Sequence, residues 1–184
     1  MKKALMIASV LMIAVISTAC INNIAVQELN NKANEYMQKG DYESAMNRLQ
    51  ASLDLDSTMY ETYYNLGIAA INAKKYETAI EALEKGIVIK PDFYDFYYSL
   101  GVAQIALADE ILERNEVVEE ENNGKEGLQP LDIERTKELK SSAIGNLLKY
   151  LDNVPNAKDK ETVQQMLKEC EDYINPPKEE ETKA

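Results

Sequence analysis

The sequence predicts an all-α fold assembled from repeated helix-turn-helix units, and three observations predict it. "YETYYNLG", from Tyr60 to Gly67, returns thirty-four residues later as "YDFYYSLG", from Tyr94 to Gly101. The same offset links Ala33, Gly67 and Gly101, and it pairs Tyr42 with Tyr76, Ala45 with Ala79, Leu49 with Leu83, Leu53 with Ile87 and Leu55 with Ile89. A fixed internal period of this length marks a stacked-repeat architecture. Finally, breakers fall where such hairpins need them. "KGDY" at 39–42 supplies Gly40, which takes positive φ without strain, and "IKPD" at 89–92 supplies Pro91, which cannot continue a helix interior.

The chain of 184 residues opens MKKALMIASVLMIAVISTAC. Lys2 and Lys3 form a positive leader, and Ala4 to Ile16 is an unbroken run of apolar and small residues of signal-peptide length. It is shorter than the roughly twenty residues of a spanning helix. Ser17, Thr18 and Ala19 are small and lead directly to Cys20, one of only two cysteines. The segment resembles a bacterial lipoprotein signal. That resemblance implies cleavage after residue 19, lipid on the Cys20 sulfur and residence on a bacterial envelope membrane, the outer one in a diderm cell. Ser17 stands where such signals usually carry Leu. Ordinary secretory cleavage, giving a soluble product, and an uncleaved apolar anchor are the alternatives. Several acyl chains hold a protein to a bilayer durably, whereas one does not.

A short tether, 20–25, leads to the first unit at 26–59, and the second occupies 60–93. Small residues at Ala33, Ala45, Gly67, Ala79 and Gly101 let paired helices approach closely, and Leu49, Tyr63, Leu66 and Leu83 fill the space around them. The third unit, 94–157, starts on schedule but closes late. Ala143, Leu147 and Pro155 stand where Ala79, Leu83 and Pro91 stand in the second. About thirty residues, near 109–138, are therefore inserted. Ile105, Ala108, Ile111 and Leu112 prolong the first helix's apolar face, while Leu131, Ile133, Leu139 and Ala143 lead into the second. Two lengthened helices are expected, each by about fourteen residues, meeting at the acidic break "EEENNGKEGLQP". That would project a hairpin by roughly 20 Å at ~1.5 Å per residue. A solvated acidic tip is expected, with a docking point for a basic partner as the alternative. Residues 158–175 form an amphipathic cap whose apolar face is Val163, Met166, Leu167, Cys170 and Ile174, placing Cys170 in the core. The polar tail 176–184 is expected to be disordered.

"YYNLGIAAINAKKYETAIEALEKGIVIKP" resembles the tetratricopeptide repeat (TPR), with Tyr63 where Trp is commonest. The resemblance implies a superhelix, or α-solenoid, of about three units whose first helices line a concave groove. It places Tyr63 and Tyr97 in the core, and Tyr60 and Tyr94 at junctions between units with Phe93 and Phe96. The groove positions fall at Asn30, Asn34, Tyr64, Asn65, Ile68, Asn72, Tyr98 and Val102. A protein or peptide segment is the implied occupant, held by amides and by one or two apolar sockets. One TPR subgroup clamps a terminal carboxylate with basic residues. Asn34 and Asn65 match its amides, but Asn30, Asp95 and Ser99 occupy its basic positions, so that clamp is absent.

The chain has no histidine, which removes Ser-His-Asp triads, Cys-His dyads and His-ligated zinc. No carboxylate or lysine cluster has catalytic spacing and no EF-hand loop is present, so no enzyme, cofactor or metal is expected. Acidic residues outnumber basic ones 32 to 20, for a formal charge of −12. That disfavours nucleic acid and anionic lipid, and favours neutral or basic partners. The reading is a non-catalytic, lipid-anchored adaptor. A self-associating structural module, in which exposed groove positions pair two copies, is the alternative.

Overall fold

The computed structural model describes residues 23–121 and 130–176. The signal-like segment with Cys20, the centre of the acidic tip and the tail 177–184 lie outside the described residues. Seven helices and no strands occur among the described residues: α1 (23–38), α2 (Tyr42–Leu55), α3 (Tyr60–Asn72), α4 (Tyr76–Ile89), α5 (Asp95–Glu121), α6 (Pro130–Asn153) and α7 (Lys160–Ile174). Each packs against the next, α1 against α2 through Ala33, Ala45 and Leu49, and short turns make the stack antiparallel. Residues 23–25, expected in the tether, already belong to α1.

Short turns set the antiparallel order. Gly40 has φ +74°, and its N–H donates to Met37 O at 3.0 Å while Asp41 N–H reaches back to Tyr36 O at 3.0 Å. Asp41 then caps α2, its carboxylate accepting from Ser44 N–H at 3.1 Å. Lys74, thirty-four residues after Gly40, repeats this conformation with φ +57°. Its N–H donates to Ile71 O and that of Lys75 to Ala70 O, as in the first turn. A lysine there gives up glycine's freedom in the left-handed region, and only the repeat register exposes this in the sequence.

Glycines set the closest approaches. A Cβ at Gly67 would fall 2.6 Å from the Leu83 side chain, and one at Gly101 would fall 2.8 Å from Leu147. The two contacts are repeat-equivalent, so α5 and α6 close the third unit across the insertion as α3 and α4 close the second. Three apolar clusters run along the stack. Leu49, Leu53 and Leu66 centre the first, Leu83, Phe96 and Leu100 the second, and Tyr97, Leu147, Tyr150, Val163 and Leu167 the third. Tyr63 is half-buried and packs against both the first and the second. The cap seals the last cluster through Val163 and Leu167, and Cys170 is buried beside them, its thiol pKa pushed up chiefly by desolvation.

The insertion differs in detail from expectation. α5 has 27 residues against 13 in α3, but α6 has 24 against 14 in α4, so the second arm is lengthened less. Leu131, expected on the apolar face, is 75% exposed. The seam between the arms is partly polar instead. Lys140, buried, donates to Asp109 Oδ1 at 2.7 Å, and Asn146 Nδ2 donates to Gln104 Oε1 at 2.9 Å. Interiors tolerate such groups when they are paired.

Candidate functional site

The first helices of the units, α1, α3 and α5, form the inner wall of the stack. Positions thirty-four apart on them face the same way, so a residue's role repeats from helix to helix. Ile68 on α3 and Val102 on α5 are equivalent and both half-buried, as are Tyr64 and Tyr98. Repeat register places these four on one face of two units.

The tyrosines are less free than groove residues need be. The Tyr64 ring stands edge-on to Phe93 and Phe96, with centroids 5.2 and 5.6 Å away. Phe93 and Phe96 also meet Tyr60, as the junction assignment implied. Burial first pushes the Tyr64 hydroxyl pKa up, a hydrogen bond with Ser99 opposes that, and the charge of Asp95 adds to it. Tyr98 tilts against Tyr150 at 5.3 Å, and its pKa is raised by burial and then by Asp159.

The amides divide into two kinds. Asn34 is exposed on α1. Asn65 is half-buried and lines a recess of about 320 Å³ with Gln27, Asn30, Asn31, Met59, Glu61 and Thr62. The recess thus brings together Asn30 and Asn65, which are far apart in sequence. Asn30, however, is a framework residue. Its Nδ2 donates to Val26 O at 2.9 Å and to Ser52 Oγ at 2.8 Å, and its Oδ1 accepts from Thr62 Oγ1 at 3.2 Å. Both donors are used, tying α1 to α2 and α3, so the expectation that Asn30 meets a partner is corrected. Ser52 and Thr62, fully buried polar residues that sequence reasoning missed, complete that network. Asn72 is exposed but donates to Ile68 O of its own helix at 2.8 Å. Cys20 lies outside the described residues, and no helix among the described residues is long and apolar enough to cross a membrane.

On α6, behind Tyr98, Tyr150 donates to Asp159 Oδ1 at 3.0 Å, joining α6 to the start of the cap. Burial, then this hydrogen bond, pushes the Tyr150 pKa from 10.0 up to about 12. The fold favours the protonated phenol. Its contribution to stability is complete below about pH 10 and lost as pH rises towards about 12. In urea titrations at pH 9 and pH 11.5, Tyr150→Phe is expected to reduce the alkaline loss seen in the parent. An unchanged loss would remove Tyr150 as a source.

Residues 33–70 match the family profile described as TPR repeat, and residues 60–93 match the one described as tetratricopeptide repeat. Compared with curated protein sequences, the chain matches none. Among solved structures it is similar to the first TPR of Spaghetti (RPAP3) bound to an HSP90 peptide, at 16% identity and a TM-score of 0.58 over 79% of this chain and 89% of that one. It is similar to the Yersinia enterocolitica type III secretion chaperone SycD in complex with a peptide of the translocator YopD, at 19% identity and 0.56 over 79% and 91%. The Arabidopsis OM64 TPR domain matches at 16% identity and 0.59 over 80% and 98%. Residues 33–93 therefore carry tetratricopeptide repeats, and the described residues have the fold of a TPR superhelix with a lengthened third helix pair and a helical cap.

Proposed function

We propose that this protein is a non-catalytic adaptor that holds a segment of another protein along its concave face, tethered through lipid on Cys20 to a bacterial envelope membrane. The observation that carries the reading is the half-buried stripe of Tyr64, Ile68, Tyr98 and Val102 beside an amide-lined recess, on a superhelix of this class. The RPAP3 and SycD structures hold peptides, which supports the same use of this fold here. The sequence supports the anchor through its charged leader, apolar run and small residues before Cys20.

Topology then orients the molecule. Cys20 lies three residues before the described start of α1, and the antiparallel order puts the starts of α1, α3 and α5 at one edge. That edge faces the bilayer in the anchored protein. α5, of 27 residues, runs away from it for about 40 Å at ~1.5 Å per residue.

A photo-crosslinking residue placed at Ile68 or Val102 in the native cell is expected to capture a partner, whereas one at Glu81 on α4 is not. Capture from Glu81 alone would overturn the groove reading, and capture of a second copy would turn it into self-assembly. Cys20→Ala in the same cells is expected to release the protein from the membrane fraction.

A further inference from the structure

The recess between α1 and α3 has one charged side chain in its lining, Glu61. Its other walls are the amides of Gln27, Asn31 and Asn65, which accept or donate equally well, the mutually bonded Asn30 and Thr62, and Met59, which is apolar. Amides do not choose the sign of a guest, but a carboxylate does. Glu61 sits in the first turn of α3, and Asp95 takes the equivalent place on α5. Each stands three residues before a tyrosine of the inner wall, Tyr64 or Tyr98, and so shares its helix face. The inner wall thus repeats a unit of one carboxylate and one aromatic face.

No base forms an ion pair with either charge among the described residues, although Glu61 also bears on the neighbouring Tyr60 hydroxyl, raising its pKa. α3 contains no lysine or arginine, and α5 contains none before Arg114, which pairs with Glu110. Among the described residues, neither Glu61 nor Asp95 has an ion pair, and both are exposed. Asp95 bears on both Tyr64 and Tyr150, since its charge raises both their pKa values, and Asp159 does the same to Tyr98. A first-turn carboxylate also suits a helix N-terminus. That explains an acid on those turns, but not why the bases the wall does carry, Lys32 on α1 and Arg114 far along α5, pair with other acids, Glu28 and Glu110.

We infer that the segment held by this face is basic, with one lysine or arginine side chain seated in the recess at Glu61 and another at Asp95 beside Tyr98. The inference rests on the adaptor reading and adds the partner's chemistry to it. In the recess, Met59 covers the aliphatic stem, amide oxygens of Asn31 and Asn65 accept from the cationic head, and Glu61 neutralises it. At Asp95 the ring of Tyr98 supplies a cation–π face. A cation there replaces water at a carboxylate the fold leaves unpaired.

Random twelve-residue peptides displayed on phage and selected against the full chain in neutral detergent test this. Selected peptides are expected to carry two or more Lys or Arg. Binding of the best one is expected to weaken about tenfold with Glu61→Gln or Asp95→Asn, the size of one charge-assisted hydrogen bond. It should weaken also with Ile68→Gln, and be unchanged with Glu84→Gln on α4. Glu61→Lys is expected to shift the selection away from basic peptides. Neutral or acidic peptides whose binding is lost with Ile68→Gln would overturn the charge inference and leave the adaptor reading standing. Basic peptides indifferent to Glu61→Gln and Asp95→Asn would show general attraction to an acidic chain, and would also overturn it. If no peptide depends on Ile68, both readings fail.

Discussion

Phe96→Ala is expected to destabilise the protein by about 3–5 kcal/mol in urea unfolding at neutral pH. Phe96 is fully buried and is the largest such side chain among the described residues. Its ring lies where α4 meets α5, so close to Gly86 that a Cβ there would come within 2.2 Å of it. It also meets Phe93 and Tyr64 edge-on, at 5.3 and 5.6 Å, and such pairs add about 0.5–1.5 kcal/mol each beyond area burial. Truncation leaves a cavity between the second and third units that neither helix can close, since each is held by its own hairpin. The converse change, Gly86→Ala, is expected to destabilise too, because overpacking outweighs alanine's better helix propensity. A loss below about 1.5 kcal/mol for Phe96→Ala would mean that the units dock through other contacts.

Leu147→Ala is expected to be the next most damaging change, at about 2–5 kcal/mol by the same measurement. Leu147 is fully buried and rests on Gly101, while its neighbour Leu148 is 45% exposed. Leu148→Ala should therefore shift stability by about 0.5 kcal/mol or less. The contrast tests whether the helix beyond the insertion completes the third unit. Equal effects from the two leucines would show that α6 merely lies beside α5 instead of closing a hairpin with it.

These residues also show how much of the molecule could be read in advance. The small positions Ala33, Gly67 and Gly101 and the large ones Leu49, Leu83 and Leu147 recur with the repeat, and all six are buried. Gly40 takes the positive φ that its turn requires, and Cys170 lies in the core with the cap's apolar face. Each of these follows from volume or backbone freedom at a single position, which a residue type expresses directly.

The candidate site was legible only as a set of positions. Its stripe at Tyr64, Ile68, Tyr98 and Val102 follows from register, but Asn30, although it lines the recess, spends both its donors and an acceptor within the fold. An asparagine donates equally well to a partner or to its own framework, and only the arrival of Ser52 and Thr62 beside it decides which. Leu131 misleads for a related reason. Helical spacing assigns a face, but which face is covered depends on the crossing of two long helices. That crossing buries a lysine against Asp109 and leaves a leucine exposed.

The sequence alone determined the period, the hairpin turns, the close-packed positions and the acidic balance, because each is a property of residues at fixed spacing along one chain. The tertiary structure decided which polar groups are used up inside, where the recess at Glu61 opens, and that the seam of the long arms is polar. Those depend on side chains distant in sequence meeting at hydrogen-bonding distance, and a repeat pattern constrains volume far more tightly than it constrains partners.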